Sequence, residues 1–131
     1  MSTITLTDQD KTTLRTAAYG AVALVAAAGA TGGSPHKAAT RGSVALCSAT
    51  GTVGHVLSEK KRDVNVYGKS VAALADQVLP ALSASMHLLG QQDPAEATNF
   101  ATTVAVAIDA AAQPGPATAE MTRKITAALA A

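Results

Sequence analysis

The sequence predicts an all-α fold, a compact antiparallel bundle of about five helices joined by short loops, with residues 1–131 forming a single domain. Three observations carry that reading. Alanine is the commonest residue, with 31 copies, while aromatic residues make up 2% of the chain; alanine is the best helix former and a small core residue, so helices form readily and pack closely. Apolar residues recur at spacings of three and four, and period-two alternation is scarce. Short breaks rich in Gly, Pro, Ser and Asp separate these segments, which favours antiparallel neighbours.

The first helix opens at Thr7, which forms a capping box with Asp10, and lines one face with Leu14, Ala18, Ala21, Val25 and Ala28. From Ala21 to Ala28 it is apolar all round, so that half belongs at the centre of the bundle. The glycine-rich run Gly29 to Gly33 ends it. Ser34 and Pro35 supply a cap and a first-turn proline for a second helix reaching about Lys60, with Leu46, Ala49, Val53, Val56 and Leu57 as its core stripe. The stretch Arg62 to Gly68 reads as a loop crossing the bundle end.

A third helix is expected from about Lys69 to Leu89, with Val71, Leu74, Val78, Leu82 and Leu89 on its inner face, a kink near Asp76 to Pro80, and Gly90 as its stop. Asp93-Pro94-Ala95-Glu96 is the clearest local signal: an Asp cap, a proline at the first helical position, and a Glu placed to reach back to the cap. The fourth helix turns Ala97, Ala101, Val104 and Ile108 inward with Phe100 nearby. After Pro114-Gly115-Pro116 a short last helix carries Met121, Ile125, Ala128 and Leu129.

Composition narrows the function classes. With 48% apolar and 15% charged residues the chain folds rather than staying disordered. Ten basic against nine acidic residues leave a net charge of +1, so no global field attracts nucleic acid or an acidic membrane. The one basic cluster, Lys60-Lys61-Arg62, sits at an expected helix end, where cations complement the helix dipole. Ala17 to Ala30 is a run of about 14 uncharged, mostly small residues, shorter than the ~20 residues of a membrane span. Its flank carries Asp8, Asp10, Lys11 and Arg15, unlike a secretory leader. One cysteine implies no internal disulfide, and a cytoplasmic location is the expectation.

The stretch from Ser43 to Leu57 holds the only cysteine, Cys47, and one of three histidines, His55. On one continuous helix these two are separated by about 12 Å of rise and about 80° of rotation, so they cannot chelate together. His36 shares a direction with Cys47 but lies about 16 Å along the axis. His87 falls on a polar face with Asp76, Ser83 and Gln91. No E-x-x-H or H-E-x-x-H pair occurs. Gly68-Lys69-Ser70 lacks the upstream glycine of a phosphate-binding loop, since position 63 is Asp. No metal and no cofactor is therefore expected.

What remains is a strip of small residues. Val44, Cys47, Gly51 and Gly54 follow at helical spacing, and glycine inside a helix costs about 1 kcal/mol relative to alanine. Close approach of another backbone would compensate for that cost: a neighbouring helix, the same strip of a second subunit, or a ligand lined by Tyr19 and His55. The expected function is accordingly that of a bundle acting through protein contacts, self-association among them, without catalysis of its own. Two other readings stand beside it: a small-molecule or metal-binding bundle with a pocket near Tyr19, Cys47 and His55, and an enzyme whose groups converge only in the fold.

Overall fold

The computed structural model describes residues 4–29, 35–59 and 70–130. Among them it contains six helices and no strands: α1 (Asp8–Ala28), α2 (Pro35–Cys47), α3 (Gly51–Ser58), α4 (Val71–Gln92), α5 (Pro94–Ala111) and α6 (Pro116–Ala130). The described residues form an all-α bundle, with six helices in place of five. The run from residue 30 to Ser34, the cluster Lys60-Lys61-Arg62 and the connector Arg62 to Gly68 lie outside the described residues.

Helix α1 is the hub, in contact with each of the other five helices. Its capping box forms as expected, with the Thr7 hydroxyl accepting from the Asp10 amide and the Asp10 carboxylate accepting from the Thr7 amide. Leu14, Ala17, Ala18, Ala21, Leu24 and Val25 are fully buried. An all-round burial pattern suits a helix whose side chains are mostly small, because neighbours can close on every side.

Pairwise contacts give the helix directions. Thr5 just before α1 exchanges two hydrogen bonds with the Gln92 side chain at the end of α4, and Gly20 meets Val78 further in, so α1 and α4 are antiparallel. Gly42 meets Val22 and Cys47 meets Tyr19, so α2 is antiparallel to α1 as well. Arg41 meets Ala110, Gly42 meets Ala107, and Thr50 just beyond α2 meets Asn99, so α2 and α5 also run antiparallel. The Ser83 hydroxyl donates to the Ala128 carbonyl and ties α4 to α6.

One long second helix is not what forms. The chain breaks at Ser48 to Thr50 and restarts at Gly51, whose φ of 74° is left-handed. Ser and Thr compete for backbone hydrogen bonds and glycine alone enters that region cheaply, so the turn wins over continuation. The new N-terminus of α3 is served from α5: Thr50 gives no side-chain cap, and the Glu96 carboxylate accepts instead from the Val53 amide. Asn99 holds Glu96 in place and donates to the Thr50 carbonyl. The expected return of Glu96 to its own cap is thereby displaced, and Asp93 caps α5 through the Ala95 amide.

Two further expectations at α4 are corrected. Gly90 does not stop the helix, which runs on to Gln92 and hands over to α5 at Asp93. A Cβ at Gly90 would meet nothing, so this glycine reflects neither a turn nor a close approach. Val71 is exposed rather than core, as are Ala72 and Ala73 beside it in the first turn after the Ser70 cap. Pro80 is exposed inside the helix.

Candidate functional site

Of the predicted residues, Cys47 meets Tyr19 at the middle of α1. Tyr19 is half-buried and donates its hydroxyl to the Leu57 carbonyl at 2.7 Å. That carbonyl belongs to the last turn of α3. The Cys47 sulfur at the end of α2 lies 3.6 Å from the same hydroxyl. Burial first, and then the hydrogen bond to Cys47, push the Tyr19 phenol above its ordinary range, while Arg15 pulls in the opposite direction.

One turn before Tyr19, Arg15 extends this polar seam into the interior. It is 2% exposed, yet Leu14 and Ala18 surround it in sequence as core residues. Its guanidinium donates to the Val56 carbonyl at 3.4 Å and to the Glu59 carboxylate at 3.3 Å. A buried cation is tolerated only when paired and hydrogen-bonded, so Glu59 answers a cost that Arg15 would otherwise impose. Lys11 and the exposed His55 both approach the other Glu59 oxygen to 3.9 Å. The result ties α1 to the C-terminal end of α3 through one carboxylate and two carbonyls.

The structure thus brings Tyr19 and Cys47 together directly and places His55 on the Glu59 carboxylate that pairs with Arg15, one turn before Tyr19. Sequence reasoning missed Arg15 and Glu59. A readable signal for Arg15 was its position one turn before Tyr19 on a helix otherwise committed to burial. Glu59 carried none, since only the fold closes the distance between α1 and the end of α3.

The remaining predicted residues separate. Because the helix breaks at residues 48–50, Val44 and Cys47 stand on α2 while Gly51 and Gly54 stand on α3, and no single helical face joins them. A Cβ on Gly54 would collide with the Ala49 carbonyl, the chain's own preceding turn. A Cβ on Gly51 would stand 2.6 Å from the Glu96 carboxylate oxygen. Close approach of different helices occurs at two other glycines. A Cβ on Gly20 would strike the Val78 side chain, and one on Gly42 would lie 2.6 Å from a Val22 methyl and 3.2 Å from the Ala107 carbonyl oxygen.

Val44 itself points outward, 62% exposed. In the antiparallel register set by Arg41 with Ala110 and Gly42 with Ala107, it stands level with Val106, which is 56% exposed. Cys47 and Ser48 at one side and Thr102 and Ala105 at the other are exposed as well. The outer surface of the α2–α5 pair is therefore built of short side chains at its middle, with the two valines at its centre.

Metal chemistry has no built centre here: among the described residues no three of His, Cys, Asp and Glu are grouped to hold an ion. No helix among them is long and apolar enough to cross a membrane. His87 is exposed, its ring nitrogen 3.1 Å from the Gln91 amide one turn on. No family model, curated protein or solved structure matches this chain.

Proposed function

We propose that this chain is a small cytoplasmic helical-bundle protein that acts through protein contacts, without catalysis of its own, and that it associates with itself through the outer face of α2 and α5. The observation that carries this reading is the level pair Val44 and Val106. Both are large aliphatic residues left in water while every leucine and isoleucine from α1 through α6 is buried or half-buried. Leaving a valine fully exposed forgoes roughly 1.5–3 kcal/mol relative to burying it, and a part of that is lost at each of these two, so the pair on one face favours a partner surface. One cysteine makes no internal disulfide, so nothing in the chain calls for an oxidising compartment.

The polar seam at Tyr19, Cys47 and His55 supports a ligand reading less well. Tyr19 already donates its hydroxyl to Leu57, and Glu59 is engaged by Arg15. These groups hold α3 against α1, which accounts for them.

Static light scattering over a concentration series tests the proposal. The mass is expected to rise with concentration from 13.0 kDa toward twice that value. A mass that stays at the monomer value at the highest soluble concentration overturns it.

A further inference from the structure

The charges bordering the apolar middle of the α2–α5 face select one way for two copies to meet. Helix α2 carries Lys37 and Arg41 and no acidic residue, whereas α5 carries Glu96 and Asp109 and no lysine or arginine. Glu96 is spent on the N-terminus of α3, which leaves Asp109 as the acid on the outer face. Asp109 also stands in the last turn of α5, where the helix dipole disfavours an anion and a nearby cation would offset the cost. Arg41 uses its Nε–H on the Ala110 carbonyl, one of five donors in its fork. Between these charges and the far end, Val44, Cys47, Thr102 and Val106 present an uncharged surface, the pattern of an interface centre with a charged rim.

We propose that a second copy of this chain docks on this face about a two-fold axis parallel to the helices, so that α2 of each protomer lies over α5 of the other. This rests on the self-association proposed above and adds its geometry. With the axis along the helices, α2 stays antiparallel to the helix it covers, Val44 meets the partner's Val106, and Arg41 meets the partner's Asp109. The contact occurs twice, as an isologous interface requires. With the axis across the helices, α2 would instead lie over its own copy, bringing Arg41 to the level of the partner's Cys47 and leaving both charges unanswered. Electrostatic complementarity therefore chooses the first arrangement.

A mixing experiment by sedimentation at low salt tests it. Arg41→Glu and Asp109→Lys, each alone, are expected to weaken self-association about tenfold or more, since each sets like charges together at both contacts. An equimolar mixture of the two variants brings opposite charges together at both contacts and is expected to recover wild-type affinity. Pairing confined to one chain would not show that recovery. If circular dichroism shows that Arg41→Glu does not fold, Asp109→Lys and Asp109→Asn decide: the lysine variant must associate more weakly than the asparagine variant, and salt must shrink the difference. Charge variants that associate as tightly as wild type, or a mixture no tighter than its components, overturn the geometry while a dimeric wild type keeps the self-association reading. A monomeric wild type overturns both.

Discussion

Gly42→Ala should destabilise the protein although it improves helix propensity. The gain is about 1 kcal/mol, the usual advantage of alanine over glycine within a helix. Against it stands a Cβ 2.6 and 2.9 Å from the two Val22 methyls and 3.2 Å from the Ala107 carbonyl oxygen. Carbon atoms ordinarily meet at about 3.5–4.0 Å, so something must move by about 1 Å. Val22 is buried, and its β-branched side chain has one preferred rotamer in a helix, so it cannot swing aside freely. Shifting α2 instead disturbs its contact with α1 and the Arg41 bond to Ala110 together. Overpacking on two sides belongs in the upper part of the usual range, roughly 2–3 kcal/mol. The net expectation is a loss of about 1–2 kcal/mol, or a fall in Tm of about 4–8 °C. Gly90→Ala is the matched comparison: it gains the same propensity, meets nothing within 4 Å, and should stabilise by about 0.5–1 kcal/mol. Thermal and urea unfolding followed by circular dichroism measure both. A Gly42→Ala protein as stable as Gly90→Ala would refute the three-helix approach at Gly42.

Other outcomes follow from the Tyr19 seam. Tyr19→Phe leaves the Leu57 carbonyl without its donor and should cost about 1–3 kcal/mol in urea unfolding; an unchanged midpoint would show that this carbonyl finds water instead. Because the Tyr19 phenol titrates above its ordinary value, the folded state holds its proton more tightly than the unfolded state. Its contribution to stability is thus fully present below about pH 10 and falls as pH rises beyond that point, at about 1.4 kcal/mol per pH unit from this group until the folded phenol also ionises. Unfolding at alkaline pH should show that slope, and Tyr19→Phe should remove it. Cys47 is exposed in a single copy and stands on the proposed face, so a thiol reagent should label it fully at dilutions where the chain is monomeric and more slowly as concentration rises; protection at every dilution until unfolding would place the sulfur in the interior.

Helix identity was legible because it rests on local chemistry. The Thr7 and Asp10 box, the Asp93 cap and the inward positions of Leu74, Val78, Leu82 and Leu89 all depend on neighbours within a turn or two. Misreadings arose where a distant residue decided the outcome. The Thr50 and Gly51 break resembles a tolerable glycine inside a helix until Glu96 and Asn99 arrive from α5 to satisfy the new terminus. Gly90 looks like a stop because glycine so often follows a helix, but Asp93 accepts the chain end three residues later. Of the candidate site, the contact between Tyr19 and Cys47 could not be derived from spacing, since it spans two helices whose register is set by Gly42 against Val22. Val44 was visible as part of a small-residue strip; its alignment with Val106 required the antiparallel α2–α5 pair.

The outer face of α2 and α5 as the meeting place of two copies is tested most directly by the doubly substituted Val44→Glu, Val106→Glu protein in sedimentation equilibrium beside wild type. Both positions are exposed, so the helical circular dichroism and the unfolding midpoint should stay close to wild type. Wild type is expected to approach twice 13.0 kDa, and the folded variant to remain at 13.0 kDa over the same concentrations. A folded variant that associates as tightly as wild type would contradict it.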